Sequence, residues 1–218
     1  MNPIPVIINN RNLLTWPKAM VERIKAYENV GEIIIVDNDS SYPPLLEWYA
    51  TNPCRIEKLD RNVGMAAPWI AGIVSGLNAP YYVVTDPDMG LEETPDDTLV
   101  HLQQLSNEHL LTKVGLGLDW QRVESKSPYY ERLHAYEKPR WDKSKKEDGL
   151  YFDVQIDTTF AMYRVGNYFI GGSSTTFPYV ARHYPWEFSI EEARASEEFM
   201  YYIRHATSAS SYKSIVTL

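Results

Sequence analysis

The stretch Tyr81–Gly90, "YYVVTDPDMG", joins a short apolar run to a pair of carboxylates. Five apolar, aromatic or β-branched residues come first, and Asp86, Pro87 and Asp88 follow directly. An apolar run of this length that is bounded by turn residues predicts a buried strand. Proline fixes the backbone between the two aspartates. The stretch therefore predicts a strand followed by two carboxylates whose relative position is restricted by the proline between them.

Strand and helix signals alternate through the first half of the chain. The predicted strands are Pro5–Ile8, Glu32–Asn38, Arg55–Leu59 and Tyr81–Thr85. Thr15 and Thr94 are predicted helix N-caps, and Pro43 is predicted to start a helix between them. This alternation predicts an α/β fold with a mainly parallel central sheet and helices on both faces. In such sheets ligands bind beyond the carboxyl ends of the strands.

Polar side chains collect at those predicted strand ends. The four ends read Asn9-Asn10-Arg11, Asp37-Asn38-Asp39, Arg61-Asn62 and Asp86-Pro87-Asp88. Two neighbouring carboxylates can present oxygen atoms to one hard divalent cation, and such a cation stabilises a leaving diphosphate. The alternative for Asp86 and Asp88 is an acidic turn, since Asp and Pro are common turn residues. The coincidence of four polar strand ends favours the metal site.

Composition limits the classes of partner. The chain has 218 residues, of which 44% are hydrophobic, and this is enough for one full core. We expect one domain, residues 1–218, with a front half (about 1–112) and a back half (about 113–218). The net charge of −8 argues against nucleic acid as a partner. The one cysteine, Cys54, fits a reducing compartment. No signal peptide or membrane span is predicted, so we expect a soluble, cytoplasmic protein that could be one domain of a larger one.

Several motifs together resemble the nucleotide-sugar glycosyltransferases of the GT-A fold, in particular the family 2-like enzymes. These motifs are "NNRN" after the first strand, "VDNDS" after the second, "RNVGMAAPW", which is similar to the family's Asn-x-Gly-x-x-x loop and helix, and "VVTDPDM" as the Asp-x-Asp motif. In the back half, "IDTTFAMYR" and "PYVARHYPWE" are similar to small bacterial and viral glycosyltransferases. The resemblance implies a Rossmann-like GT-A domain whose front half binds the nucleotide-sugar and whose back half holds the acceptor.

The resemblance also implies a UDP-sugar donor and a metal ion, Mn²⁺ or Mg²⁺. The residues implied to border the nucleotide and its phosphates are Asn10, Arg11, Asp37, Arg61, Asn62, Gly64 and Asp86. Asp37 would accept a hydrogen bond from the uracil imide, and Gly64 would let the backbone approach the ligand closely. As alternatives, Asp37 and Asp39 could cap turns, Arg11 could pair with either of them, and the loop 62–64 could be a structural turn.

The implied metal ligands are Asp86, Asp88 and His183, with His205 as a weaker rival to His183. Asp86 could contact either the ribose or the metal. The alternative for His183 is a hydrogen-bonded structural histidine. The neighbouring Arg182 is a possible contact to the diphosphate.

An inverting transfer to a glycan or another hydroxyl acceptor needs a base that removes the acceptor's proton. Asp157 is the first candidate because "QIDTT" places it between hydroxyl side chains at the end of an apolar alternation. Asp119 and Asp153 compete with it, and Asp157 could instead cap its own strand end. The charged run Lys143–Asp148 is predicted as a solvated loop that could bring lysines to the diphosphate.

Four other classes compete with this interpretation, and each of the first three lacks a feature that its class would need. A haloacid-type phosphatase would carry Thr or Val at the position of Gly90, and an oxidoreductase would need a third glycine after Gly115 and Gly117. A nucleotidyltransferase would show a glycine-rich basic loop where this chain has "NNRNLLT". A non-catalytic nucleotide-sugar or carbohydrate-binding module is the main alternative that is not an enzyme.

Overall fold

The structure is a computed structural model that describes residues 2–52, 54–152, 154, 156, 159–166, 171–206 and 212. Within these residues the strands are β1 (Ile4–Asn10), β2 (Val30–Asp37), β3 (Arg55–Lys58), β4 (Tyr81–Thr85), β5 (Met89–Gly90), β6 (Lys113–Gly115), β7 (Gly117–Leu118), β8 (Lys146–Glu147), β9 (Leu150–Tyr151), β10 (Ala161–Arg164), β11 (Ser173–Thr175) and β12 (Val180–His183). The α-helices are α1 (Thr15–Ile24), α2 (Pro43–Thr51), α3 (Ala67–Ile70), α4 (Thr98–Glu108), α5 (Tyr130–Lys143), α6 (Tyr184–Glu187), α7 (Ile190–Ala195) and α8 (Glu197–His205).

A nine-stranded sheet in the order β3-β2-β1-β4-β10-β6-β11-β9-β8 forms the centre of the fold. The four strands from the first half are parallel to one another, as the strand–helix alternation predicts. Beyond them β10 runs antiparallel between β4 and β6, and β11 is parallel to β6. The predicted α/β sheet is confirmed, and its parallel region coincides with the part of the chain that alternates strand and helix.

Helices cover both faces of the parallel region. One face packs against α1, α2 and α4, with Ile8, Leu45 and Leu102 in one hydrophobic cluster. The other face packs against α3 and the turns near it, with Ile7 and Ala67 in a second cluster. All seven residues of β1 are buried, since this strand lies inside the sheet with neighbours on both edges and both faces. The carboxyl end of β1 therefore opens between β2 and β4.

Two predicted helix starts are wrong. Thr94 does not cap a helix, because α4 begins only at Thr98, and the Thr94 hydroxyl donates instead to the Leu91 carbonyl at 2.7 Å. Thr15 is the first residue of α1 rather than its N-cap. The free N–H groups of Leu14 and Thr15 donate to the carboxylate of Glu198 at 2.7 and 2.9 Å. The N-terminus of α1 is therefore capped by Glu198, a side chain from α8, and not by the predicted local residue.

A separate three-stranded sheet, in the order β5-β12-β7, gathers side chains from three parts of the chain. β12 pairs antiparallel with β5, so that His183 lies opposite Met89 and the Tyr184 N–H donates to the Asp88 carbonyl at 3.1 Å. β12 also pairs in parallel with β7. Asp88, His183 and Asp119, which directly follows β7, therefore lie at the same end of this small sheet.

The charged run Lys143–Asp148 was predicted as a loop, and this prediction is wrong. Within it β8 pairs with β9 in a hairpin, with Asp148 (φ +52°) and Gly149 (φ +76°) at the turn. β8 is five strands away from β4 in the sheet order, or roughly 24 Å at ordinary strand spacing. Lys145 forms an ion pair with Glu147. Lysines of this hairpin are therefore not placed near the strand ends that carry Asp37 and Asp86.

Candidate functional site

Asn10 and Asp37 lie side by side at the carboxyl ends of β1 and β2. The Asn10 side chain is fully buried and donates to the Leu13 carbonyl at 2.8 Å and to the Tyr49 hydroxyl at 2.9 Å. These two bonds tie the end of β1 to the loop before α1 and to α2. Asn10 therefore holds the end of β1 in place through these two hydrogen bonds.

Asp37 is a buried carboxylate with 3% of its surface exposed. Ser40 donates hydrogen bonds to it from both its hydroxyl and its backbone N–H, while Oδ1 has no partner among the described residues. Burial raises the pKa of the Asp37 carboxyl, and the Ser40 hydrogen bonds only partly oppose that shift. Asp37 thus offers an acceptor atom that the described chain does not satisfy.

The loop around Gly64 is held against the strand ends by asparagine side chains. Asn38 donates to the Gly64 carbonyl at 2.9 Å and accepts from the Val63 N–H at 2.8 Å, and Asn9 donates to the Gly64 carbonyl at 3.3 Å. The Asn62 side chain accepts from the Gly64 N–H at 2.9 Å, as the structural-turn alternative predicts. Gly64 has φ +78°, a conformation that other residues adopt only with strain. The loop is fixed by the same strand ends that form the site.

Arg11 extends from the end of β1 toward the last helix. Its Nη1 donates to the His205 carbonyl at 2.6 Å, at the C-terminus of α8, and its Nε has no partner in the part of the chain that the structure describes. The predicted alternative, an ion pair between Arg11 and Asp37 or Asp39, is not what the structure shows. Arg61 lies exposed on the loop after β3.

Asp88 and His183 meet at the edge of the three-stranded sheet. The distance between Asp88 Oδ2 and His183 Nε2 is 3.8 Å, and Asp88 is 7% exposed. Tyr212 reaches the same point, with its hydroxyl 2.9 Å from His183 Nε2 and 3.5 Å from Asp88 Oδ2. The Trp186 ring stacks on His183 with centroids 4.4 Å apart. Asp86 is half-buried at the end of β4, two residues before Asp88.

Buried polar atoms without a partner concentrate at this edge of the sheet. In native proteins such atoms are few, and each needs a water, ion or ligand to satisfy it. Among the described residues they include Asn9 Oδ1, Asn10 Oδ1, Arg11 Nε, Asn12 Nδ2, Asp37 Oδ1 and Asp88 Oδ1. All six follow or end β1, β2 or β4. The carboxyl edge of the parallel strands therefore presents several hydrogen-bonding atoms that the described residues do not satisfy.

Of the candidate bases, Asp157 and Asp153 lie outside the described residues. β10 begins at Ala161, which pairs with Val84, so the chain enters β10 from the carboxyl end of β4. Asp119 is described; its backbone N–H donates to the Ala181 carbonyl at 2.9 Å, and its carboxylate is 3.3 Å from Arg122 Nε.

Tyr212 and Glu198 are site-forming residues that the sequence did not reveal. Neither stands in a motif; Tyr212 contacts Asp88, 124 positions away, and Glu198 contacts Leu14, 184 positions away. Asn9 and Asn38 do stand in the polar strand ends, where their amides could have been expected to bind neighbouring backbone. Among the described residues, no group of three or more His, Cys, Asp or Glu side chains is placed to hold a metal ion. Also within these residues, no helix is long and apolar enough to cross a membrane.

Comparison with known proteins finds a similarity of fold and none of sequence. No protein-family model matches the sequence, and no curated protein sequence matches it. Solved structures do: S. aureus TarS superimposes with a TM-score of 0.52 at 12% identity, covering 99% of this chain and 42% of that one. TarS 1-349 in complex with UDP-GlcNAc gives a TM-score of 0.51 at 11% identity, covering 98% of this chain and 70% of that one.

TarS 1-349 in complex with UDP matches equally, with a TM-score of 0.51 at 11% identity, covering 98% of this chain and 69% of that one. The chain therefore spans less than half of the longer TarS chain. The likeness confirms the GT-A type of α/β fold.

Proposed function

We propose that the chain is a metal-dependent glycosyltransferase that moves a sugar from a UDP-sugar to a hydroxyl group of a glycan or another acceptor. The observation that supports this most is the concentration of unsatisfied polar atoms at the carboxyl ends of β1, β2 and β4. In a GT-A fold, that edge is where a nucleotide-sugar would lie. Solved structures of the same fold include complexes with UDP-GlcNAc and with UDP.

In this proposal the front half holds the nucleotide. Asp37 Oδ1 accepts the imide N–H of uracil, which supplies the donor that this buried oxygen lacks. Arg11 and Arg61 contribute positive charge to a chain whose overall charge is negative. The Gly64 loop borders the ribose and phosphates, and its exposed glycine leaves the backbone accessible. Asn10 and Asn62 act by positioning the strand end and the loop.

Asp88 and His183 fit a divalent metal ion such as Mn²⁺ or Mg²⁺. Their nearest atoms are 3.8 Å apart, which is too far for a hydrogen bond and short enough for both atoms to bind one ion at about 2.1 Å. Asp88 Oδ1 also lacks a partner among the described residues. Asp86, two residues earlier, is proposed to contact the metal or the ribose. When bound, the ion neutralises the charge that develops on the leaving diphosphate.

The back half is proposed to carry the base of an inverting transfer. Asp157 keeps this role because the chain enters β10 from the edge where Asp86 lies. Asp119 is the competing carboxylate, since β7 places it at the same end of the small sheet as Asp88 and His183. The base would accept the acceptor's hydroxyl proton as the bond between sugar and diphosphate breaks.

The experiment is a measurement of UDP release from a panel of UDP-sugars, with Mn²⁺ or with EDTA, by wild type, Asp157→Asn and Asp119→Asn. The variant of the true base should lose at least about a hundredfold in turnover while its UDP affinity stays within about twofold of wild type. UDP binding without release from any UDP-sugar, in any acceptor mixture, would instead support a non-catalytic nucleotide-sugar module.

A further inference from the structure

Three polar side chains form a row across the carboxyl ends of β1, β2 and β3. Asn10 pairs with Asp37 in the register of β1 and β2, and Asp37 pairs with Lys58 in the register of β2 and β3. Register partners in neighbouring strands point to the same face of a sheet. The residue two positions before each of them lies in or against the hydrophobic cluster that also holds side chains of α2. Asn10, Asp37 and Lys58 therefore stand side by side on the face that α2 covers.

The members of this row differ in what they offer a ligand. Asn10 is fully buried, and its side-chain Nδ2 already donates to the Leu13 carbonyl and the Tyr49 hydroxyl. Asp37 Oδ1 is a buried acceptor without a partner among the described residues. Lys58 is exposed, and its ammonium carries only hydrogen-bond donors. The row therefore ends with an unsatisfied acceptor that has a donor group as its neighbour.

The Tyr49 side chain links the Lys58 ammonium to Asp37. Lys58 Nζ lies over the Tyr49 ring, 6.0 Å from its centroid, and the hydroxyl of the same ring donates to Asp37. Burial raises the pKa of the Asp37 carboxyl, and the positive charge of Lys58 is among the effects that oppose this shift. The two groups therefore lie near each other, and no hydrogen bond between Lys58 and Asp37 Oδ1 has to break before a ligand binds.

We propose that Lys58 selects the nucleobase by donating a hydrogen bond to the carbonyl oxygen beside the imide N–H that Asp37 binds. The inference rests on the proposed function, because it takes Asp37 to hold the base of the nucleotide-sugar. An acceptor with a donor beside it matches the N3–H and C4 carbonyl of uracil. In cytosine the same two positions carry a lone pair and an amino group, so the carboxylate would face an acceptor and the ammonium would face a donor.

The order of the strands determines which uracil carbonyl faces Lys58. The sheet runs β3-β2-β1-β4, and the carboxylates that follow β4 are the ones proposed to hold the metal and the diphosphate. The ribose, which is attached at N1 of the base, therefore extends from Asp37 toward β4. Because C4 lies opposite N1 in the ring, the C4 carbonyl points away from β4, toward β3 and Lys58.

The test measures the affinities of UDP and CDP, each with Mn²⁺, by calorimetry on the full chain as wild type, Lys58→Met and Lys58→Arg. The two nucleotides share the ribose and the diphosphate, so the ratio of their Kd values cancels any effect on phosphate binding or on folding. Lys58→Met keeps an unbranched stem beside Tyr49 and removes the donors. Arg55→Met is the matched control, because it removes one positive charge from an exposed residue at the other end of β3.

Wild type should bind UDP at least about tenfold more tightly than CDP. Lys58→Met should weaken UDP binding by about tenfold without weakening CDP binding by more than about twofold. Lys58→Arg should keep most of the preference for UDP, since it keeps a charged donor, and Arg55→Met should leave both affinities within about twofold of wild type.

Equal losses for UDP and CDP in Lys58→Met would assign Lys58 to the diphosphate and overturn the inference, and no loss for either nucleotide would overturn it as well. Both results would leave the proposed function standing. Wild type that binds neither nucleotide in the presence of Mn²⁺ would overturn the proposed function and the inference together.

Discussion

Asp37 is a residue whose burial destabilises the folded chain and, in the proposed function, favours the nucleotide. Burial raises its pKa above the ordinary value of 3.8, so the folded protein holds this proton more tightly than the unfolded chain does. The protonated Asp37 carboxyl contributes its full stabilisation at a pH below its pKa in the unfolded chain. This stabilisation is lost as the pH rises through the pKa of Asp37 in the folded protein. At neutral pH the ionised carboxylate is therefore a cost to folding that a bound uracil imide would offset.

Replacing Asp37 with Asn should separate stability from binding. We expect Asp37→Asn to melt at a higher temperature than wild type at pH 7.5, and this advantage should shrink as the pH falls toward 4. Its UDP affinity should fall about tenfold, or about 1.4 kcal/mol. Ser40 and the uracil imide both donate hydrogen bonds, and an asparagine amide has an acceptor oxygen on one side only. Melting curves between pH 4 and 8 and calorimetry with UDP provide the measurement.

Asp39→Asn is the control for this pair, because Asp39 is exposed, lies two residues away and has φ +63°, which asparagine tolerates. It should change neither the pH profile of melting nor the affinity for UDP. Equal effects of the two substitutions would remove Asp37 from the proposed nucleotide site.

At the residue scale, the sequence predicted groups that act on their own and missed groups that act through distant partners. Asp37, Asp86 and Asp88 stand out because each follows a clear strand signal. The partner of Arg11 is the carbonyl of residue 205, 194 positions away, and Tyr212 contacts both His183, 29 positions away, and Asp88, 124 positions away. No local pattern encodes such contacts, since they exist only after the two halves of the chain have packed.

At the scale of elements, a side chain near the N-terminus of α8 caps the N-terminus of α1. The Glu198 carboxylate, one residue into α8, accepts hydrogen bonds from the Leu14 and Thr15 N–H groups and from the Thr15 hydroxyl at 2.6 Å. A carboxylate at a helix N-terminus satisfies free N–H groups and also complements the helix dipole. These hydrogen bonds thus hold α1 and α8 together beside the end of β1.

Glu198→Ala should lower the free energy of unfolding by about 1–2 kcal/mol, the usual effect of losing an N-terminal cap. Glu197→Ala is the matched control, as it removes the preceding, exposed carboxylate of the same helix, and it should cost less than about 0.5 kcal/mol. Urea unfolding monitored by circular dichroism measures both. If the two variants unfold at the same urea concentration, the capping contact does not stabilise the fold.

Close backbone packing determines where β7 lies, and with it Asp119. A Cβ atom at Gly117 would clash with the Thr175 carbonyl oxygen, so only glycine fits between β7 and β11. Gly117→Ala should therefore destabilise the chain by about 1–3 kcal/mol, as overpacked sites do.

Gly76→Ala provides the comparison, since a Cβ atom there would meet nothing within 4 Å. Thermal unfolding of both variants measures the difference. A Gly117→Ala variant as stable as Gly76→Ala would show that β7 and β11 separate at no cost.

The sequence predicted elements well where a strand or helix carries its own apolar period. β1 to β4 and the start of α2 at Pro43 follow from such patterns. The hairpin of β8 and β9 was missed because its strands have two residues each and much of their side-chain surface is charged, although Asp148-Gly149 is a strong hairpin signal. The start of α4 was misplaced because Thr94 has a tertiary hydrogen-bond partner, Tyr27, that no capping rule includes.

At the scale of the whole molecule, residues of the back half lie beside the carboxyl ends of the parallel strands, which belong to the front half. Arg11 binds the end of α8, and the Tyr201 hydroxyl donates to the Ser41 carbonyl at 2.9 Å, so the last helix lies across the loops that follow β1 and β2. β12 brings His183 to Asp88 from the other side. The sequence alone indicated the polar edge, and the structure shows that residues beyond position 180 line it.

The most direct test of the central claim is a thermal-shift measurement with UDP, GDP, CMP and dTDP, each with Mn²⁺ and with EDTA, on wild type and Asp88→Asn. At a concentration one hundred times its Kd, UDP with Mn²⁺ should add about 2.7 kcal/mol, which is roughly 5–11 °C in melting temperature for a chain of this size. The shift should be smaller with EDTA, smaller with the other nucleotides, and insensitive to Mn²⁺ in Asp88→Asn. If no nucleotide raises the melting temperature of wild type with Mn²⁺ present, the edge formed by β1, β2 and β4 is not a nucleotide-sugar site.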